Sequence, residues 1–211
     1  MMKKSVKKIL SSIVKFFYFF YPRNILTLIK LRGNQIYSIW ISNDFKKVGE
    51  NFNVKSPLYL TGGNNIVIGN NVNFDQRLRL DAIEQFADDK FTPVICIGDN
   101  VSIQKDCHIG AINQIIIGNN VLLASKVYIS DHFHGEINLE AIQLPPAKRK
   151  LYTKGSVVIE NNVWLGEGVV VLPGVRIGEN SIVGANAVVT KSIPKNCVAG
   201  GNPAKIIREI S

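Results

Sequence analysis

The sequence predicts an all-β fold, a three-sided solenoid of short parallel strands, and two observations carry that prediction. From residue 48 onward aliphatic residues recur every six positions, and every interruption of that period falls after a third repeat. The clearest run is IENNVW LGEGVV VLPGVR IGENSI VGANAV VTKSIP, which holds Ile159, Leu165, Val171, Ile177, Val183 and Val189 in step. Four positions after the first five come Val163, Val169, Val175, Ser181 and Ala187, with the turn formers Gly, Asn, Glu and Pro between. Neither a helical period nor a long alternating strand fits this spacing, whereas units of short strand and turn do.

Residues 1–45 precede the repeat and form a basic, aromatic segment predicted to be helical. The formal net charge is +9, and Lys3, Lys4, Lys7, Lys8, Lys15, Arg23, Lys30 and Arg32 all come before the first acidic residue, Asp44. The rest of the chain is close to neutral, which excludes a broad nucleic-acid-binding face. The apolar stretch from Ile9 to Tyr21 contains FFYFFY and is interrupted by Lys15, so it is short for a membrane span. A basic start and a short apolar run also resemble a signal peptide, but no A-x-A-like cleavage site follows. Three readings stay open: contact with an anionic membrane surface, packing on this protein or a partner copy, or, least favoured, a cleaved or spanning segment.

Residues 46–194 carry the repeat. Grouped in threes, its inward positions are Val48, Val54, Leu60; Ile68, Phe74, Leu80; Ile97, Ile103, Ile109; Ile117, Leu123, Ile129; and the two triplets quoted above. Insertions of two, eleven, two and twenty-four residues follow Leu60, Leu80, Ile109 and Ile129. If three repeats make one turn, all of them leave the solenoid at one edge. The last insertion is a long loop at 131–157, and residues 195–211 form a tail with a predicted short helix. Cys96, Cys107 and Cys197 are too few and too scattered for a disulfide framework or a metal-binding pair. They suggest a reducing compartment, and with the basic segment they place the protein in the cytoplasm, at the inner face of a membrane if that reading of residues 1–45 holds.

The stretch VVIENNVWLGEGVVVLPGVRIGENSIVGANAVVTKSIPKNCVAGGNPAKIIREI resembles the hexapeptide-repeat acyltransferases, in particular the branch of galactoside, maltose and polysaccharide O-acetyltransferases. The resemblance implies a left-handed parallel β-helix, although general chain chirality favours right-handed crossovers. It also implies a homotrimer, acetyl-CoA as acetyl donor between neighbouring prisms, and a sugar or lipid-linked glycan as acceptor. Independently of it, Trp164, Val170, Ile182 and Val188 fall at outward positions and form an apolar surface that another chain or a ligand would cover.

The segment SDHFHGE at 130–136 opens the long loop, and loops of that length in a regular scaffold tend to carry function. The resemblance implies a histidine general base here, and His132 fits it best, with His134 as the alternative because this chain has two fewer residues before the histidine. Imidazole suits the task, since it can take a hydroxyl proton and return one to a leaving thiolate near neutrality. Ser130 is expected to point to the other side of its strand, which leaves direct transfer as the preferred chemistry. The resemblance places coenzyme contacts at Trp164, Ala185, Thr190, Lys191, Lys205 and Arg208, and acceptor contacts at Asp75 and Asp131. His108 is expected at a different edge of the solenoid from His132. A zinc site of the γ-carbonic-anhydrase kind is therefore disfavoured and no metal is expected. N-acetylation of an amino sugar, amino acid or antibiotic is the nearer alternative, and a non-catalytic binding solenoid the more distant one.

Overall fold

The computed structural model describes residues 4–210; Lys3, one of the eight basic residues above, lies outside them. Six coils stack along one axis. The first face is built by Lys47–Val48, Ile66–Ile68, Val94–Ile97, Gln114–Ile117, Val157–Ile159 and Arg176–Ile177, all parallel. The second runs Asn53–Val54, Asn73–Phe74, Ser102–Ile103, Leu122–Leu123, Trp164–Leu165 and Ile182–Val183. The third runs Leu58–Thr61, Leu78–Ala82, His108–Ala111, Tyr128–Ser130, Val170–Val171 and Val188–Val189. Each face repeats the same triplet position, and from Val54 onward those side chains are buried, apart from partly buried Leu60. Burying one such aliphatic side chain is worth about 1.5–3 kcal/mol, so a period of six suffices to define the core.

The corner between the first and second faces shows why the turns are rich in Asn. Asn51, Asn71, Asn100, Asn120, Asn162, Asn180 and Asn196 all have positive φ, a conformation that Asn tolerates better than most residues. Each side-chain amide but that of Asn196, the last, donates to the next Asn along the axis, at 2.9–3.0 Å. The turn also requires glycine, at Gly49, Gly69, Gly98 and Gly118. A Cβ on Gly118 would lie 2.6 Å from Asn161 Oδ1 and 2.9 Å from the Asn161 backbone nitrogen, so the coils could not stack at this spacing.

The N-terminal segment is helical, as α1 (Lys4–Phe20) and α2 (Arg23–Ile41). The end of α2 caps the first coil. Ile41 is buried, Ser38 Oγ accepts from the Val54 backbone N–H at 2.8 Å, and Tyr37 Oη accepts from Leu58 N–H at 3.2 Å. Beneath it Phe45, Phe52 and Phe74 stack edge to face, closing the open end of the solenoid. α1 buries nothing.

The other end corrects an expectation. Among its described residues the tail holds no helix: Lys205–Glu209 is a strand, antiparallel to Cys197–Gly200 at the end of the second sheet. Pro203 provides no N–H just before it, and Ile206 and Ile207 are β-branched. The last coil otherwise ends in an unpaired strand edge, which the tail covers.

Candidate active site

The largest insertions become two small antiparallel arms above the third face. Gln85–Phe86 pairs with Asp89–Lys90, and His132–His134 pairs with Leu151–Thr153. The arms meet: the Phe86 ring packs edge-on against His134 at 5.3 Å, and Lys150 reaches Asp89 at 3.2 Å. Lys154 lies over the Phe133 ring at 5.5 Å.

At the root of the longer arm the chain leaves the third face through Ser130 and Asp131. The coil below turns the same corner at Ile112 and Asn113, whose backbone N–H groups donate to Asp131 Oδ1 and Oδ2 at 2.9 and 2.8 Å. Asp131 is fully buried, and those donors compensate the burial of its charge. Its Oδ1 also lies 3.0 Å from His132 Nδ1. A carboxylate can only accept there, so Nδ1 carries the proton and Nε2 presents its lone pair. His134 is exposed, with no carboxylate on its ring among the described residues. The geometry thus separates the two histidines, and only His132 is held as a base is held.

Two expectations change at this corner. Asp131 has no access to an acceptor, being enclosed and already bonded through both oxygens. Ser130 does not point away: its Oγ donates to the His132 carbonyl at 2.9 Å, accepts from the His132 backbone N–H at 3.2 Å and lies 3.3 Å from Nδ1. It braces the imidazole.

His108 stands at the start of the third face, directly below Tyr128 and above Arg79, whereas His132 follows the end of that face. Its Nε2 lies 3.1 Å from Asp81 Oδ2, and Arg79 Nε lies 2.5 Å from the same oxygen. Burial pushes the Asp81 carboxyl up, but hydrogen bonds from His108 and Thr61 and the Arg79 charge outweigh it and hold it below the usual carboxylate range. The coil spacing carried the signal for this cluster: Arg79 and His108 occupy equal positions in consecutive third repeats. Among the described residues no three His, Cys, Asp or Glu side chains are grouped to hold a metal ion. Burial pushes the Cys107 thiol up to about 11, which leaves it a core residue.

The remaining predicted residues are spread over the prism. Trp164 is half-exposed on the second face, in a row with Leu122, Ile182 and Val198. Ala185 lies in the turn that follows, and Lys205 and Arg208 stand exposed on the tail strand of the same sheet. Thr190 and Lys191 follow the third face at its last coil. Asp75 sits two coils below His132 at another corner, paired with Lys55 at 2.8 Å; burial raises its carboxyl, and the Lys55 contact, with the Gln76 backbone N–H, brings it below the usual range. Within one chain, then, His132 stands at the corner opposite the face that carries Trp164.

The six-residue repeats of this solenoid are those of a class of bacterial transferases. The family model for the bacterial transferase hexapeptide (six repeats) matches residues 156–191. WbbJ of Escherichia coli K12, provisionally named a lipopolysaccharide biosynthesis O-acetyl transferase, is 41% identical over 160 residues, 74% of this chain and 78% of its own. The galactoside O-acetyltransferase of the same organism is 34% identical over 81% of this chain and 67% of its own. The chain belongs to the hexapeptide-repeat acetyltransferases. In fold it also matches AntD, an N-acyltransferase from Bacillus cereus solved with dTDP-4-amino-4,6-dideoxyglucose and coenzyme A, with a TM-score of 0.68 at 21% identity over 82% of this chain and 88% of that one.

Proposed function

We propose that this acetyltransferase moves an acetyl group from acetyl-CoA to a sugar hydroxyl of a cell-surface glycan (capsule, O-antigen or exopolysaccharide) or its lipid-linked precursor. The observation that carries this is the Asp131–His132 pair, which fixes the tautomer with Nε2 free. In the reaction Nε2 takes the proton of the acceptor hydroxyl as its oxygen attacks the thioester carbonyl. The tetrahedral intermediate collapses, the carbon–sulfur bond breaks, and the imidazolium returns the proton to the coenzyme thiolate. Asp131 stabilises the imidazolium while it lasts, and Ser130 keeps the ring in place.

The same reading makes the protein a left-handed homotrimer. Trp164 lies opposite the His132 corner within one chain, so a site using both needs the second face of a neighbouring copy. Leu122, Trp164, Ile182 and Val198 would form that seam. Lys205, Arg208 and Lys191 would meet coenzyme phosphates, where a partly desolvated cation gains most.

The N-terminal helices support work at a membrane surface on the cytoplasmic side. On α1, Val6, Ile9, Leu10, Ile13, Val14, Phe16, Phe17 and Phe20 make one exposed apolar stripe, with Lys4, Lys7, Lys8 and Lys15 opposite. On α2, Ile25, Leu28, Ile29, Ile36, Ile39 and Trp40 are exposed on the side away from the capping residues. No helix among the described residues is long and apolar enough to cross a membrane.

The reaction class is tested by incubating the protein with 13C-acetyl-CoA and candidate glycans and reading the carbonyl by NMR. An ester signal on a sugar oxygen is expected; an amide signal would replace O-acetyl by N-acetyl transfer.

A further inference from the structure

We propose that the prism stands upright on the membrane and acetylates a lipid-linked oligosaccharide at a sugar remote from the lipid, not a single sugar joined directly to it. This rests on the membrane reading of the N-terminal helices and adds the orientation of the molecule and the length of its acceptor.

The orientation follows from α2. Its Tyr37, Ser38 and Ile41 face the first coil and close that end of the solenoid. With 3.6 residues per turn, Ile25, Ile29, Ile36 and Ile39 lie on the opposite side of the helix, where Ile36 and Ile39 are 69% and 72% exposed. A face turned away from the first coil points out along the solenoid axis, because the other coils stack in the opposite direction. Laid on a bilayer, it holds the axis upright with the first coil lowest. A cyclic trimer whose axis runs along the prisms keeps all three α2 faces at one end.

Coil number then measures height. His132 follows Tyr128–Ser130, the third-face strand of the fourth coil, which lies three strand spacings, or about 14 Å, above the first. The α2 helix adds a thickness of about 10–12 Å, of which about 5–10 Å sinks into the headgroup/acyl boundary. The base therefore lies about 15–20 Å above that boundary, whereas the headgroup layer is about 5–8 Å thick. A sugar joined directly to a lipid phosphate stays in or beside that layer and falls short of His132. The shorter arm, residues 85–90, leaves the same edge two coils below His132 and meets the longer arm through Phe86 and Asp89, so protein fills the direct path from the bilayer. An acceptor has to span the height with its own sugars. That makes it an oligosaccharide of several residues, with the reacting hydroxyl in its outer part.

The experiment uses the full chain on phosphatidylserine-rich vesicles and the sugar that the NMR assay identifies. That sugar is presented either directly on a prenyl pyrophosphate in the bilayer or at the outer end of a prenyl-pyrophosphate-linked chain of several sugars. The same two glycans without lipid are the controls. On vesicles the long acceptor should be acetylated roughly tenfold faster or more, since a misplacement of about 1 Å already costs on the order of 10²-fold. The lipid-free pair should react about equally. Ile36→Glu combined with Ile39→Glu charges the exposed face of α2, keeps its capping residues, and should erase the preference because α1 alone then tethers the prism. Equal rates for the two lipid-linked acceptors on vesicle-bound protein would overturn the proposal, as would a preference that persists in the lipid-free pair or in the double variant. Failure of the membrane reading looks different: the full chain would then not sediment with the vesicles, and the proposal would fall with it.

Discussion

His132→Ala is expected to lower kcat by roughly 10²–10⁴, the usual contribution of a positioned general base. The KM for acetyl-CoA should change little, because proton removal occurs in the transition state and ground-state binding does not depend on it. The expectation follows from the difference between two histidines only two residues apart. His132 is bonded to a fully buried carboxylate and braced by Ser130, whereas His134 is exposed against Phe86. His134→Ala should therefore cost much less, acting through the contact between the two inserted arms. Steady-state kinetics on the two variants checks this, and a larger loss at His134 would reverse the assignment.

Deleting residues 1–21 should lower partitioning onto phosphatidylserine-rich vesicles by on the order of a hundredfold or more, while acetyl-CoA binding stays intact. Each lysine near an anionic surface is worth about 1 kcal/mol at low salt, and α1 carries Lys4, Lys7, Lys8 and Lys15 on the side opposite its apolar stripe, where they can reach the headgroups. Binding should weaken as salt is added, because exposed charges are screened. A sedimentation assay with vesicles measures both effects. Undiminished vesicle binding after the deletion would contradict the membrane reading. Loss of self-association on deletion, without vesicle binding by the parent, would assign the stripe to a second copy.

The coils were legible because one rule governs them: an aliphatic side chain every six residues must point inward, and Ile117, Leu123 and Ile129 obey it without local help. The edge at which the insertions gather followed from counting. Past the corner the rule ends. Ser130 and Asp131 take directions set by the backbone N–H groups of Ile112 and Asn113 in the coil below, and no pattern within SDHFHGE contains those donors. His108 was placed at the right corner by counting, but its pairing with Asp81 was not legible, because that carboxylate comes from the coil below. The tail was misread as helix because local composition does not show that the last strand, Cys197–Gly200, needs a partner.

The central claim is that transfer occurs at a seam between chains, with His132 from one and the Trp164 face from the next. Mixing two inactive variants tests it most directly. His132→Ala removes the proposed base, and Trp164→Arg places a charge on the proposed coenzyme wall; each is expected to be inactive alone at subsaturating acetyl-CoA. Co-expressed and purified as mixed oligomers, they should recover acetyl transfer, because some seams then combine an intact His132 with an intact Trp164. Mixed oligomers that stay as inactive as the separate variants would contradict the account and place both residues in a site within one chain.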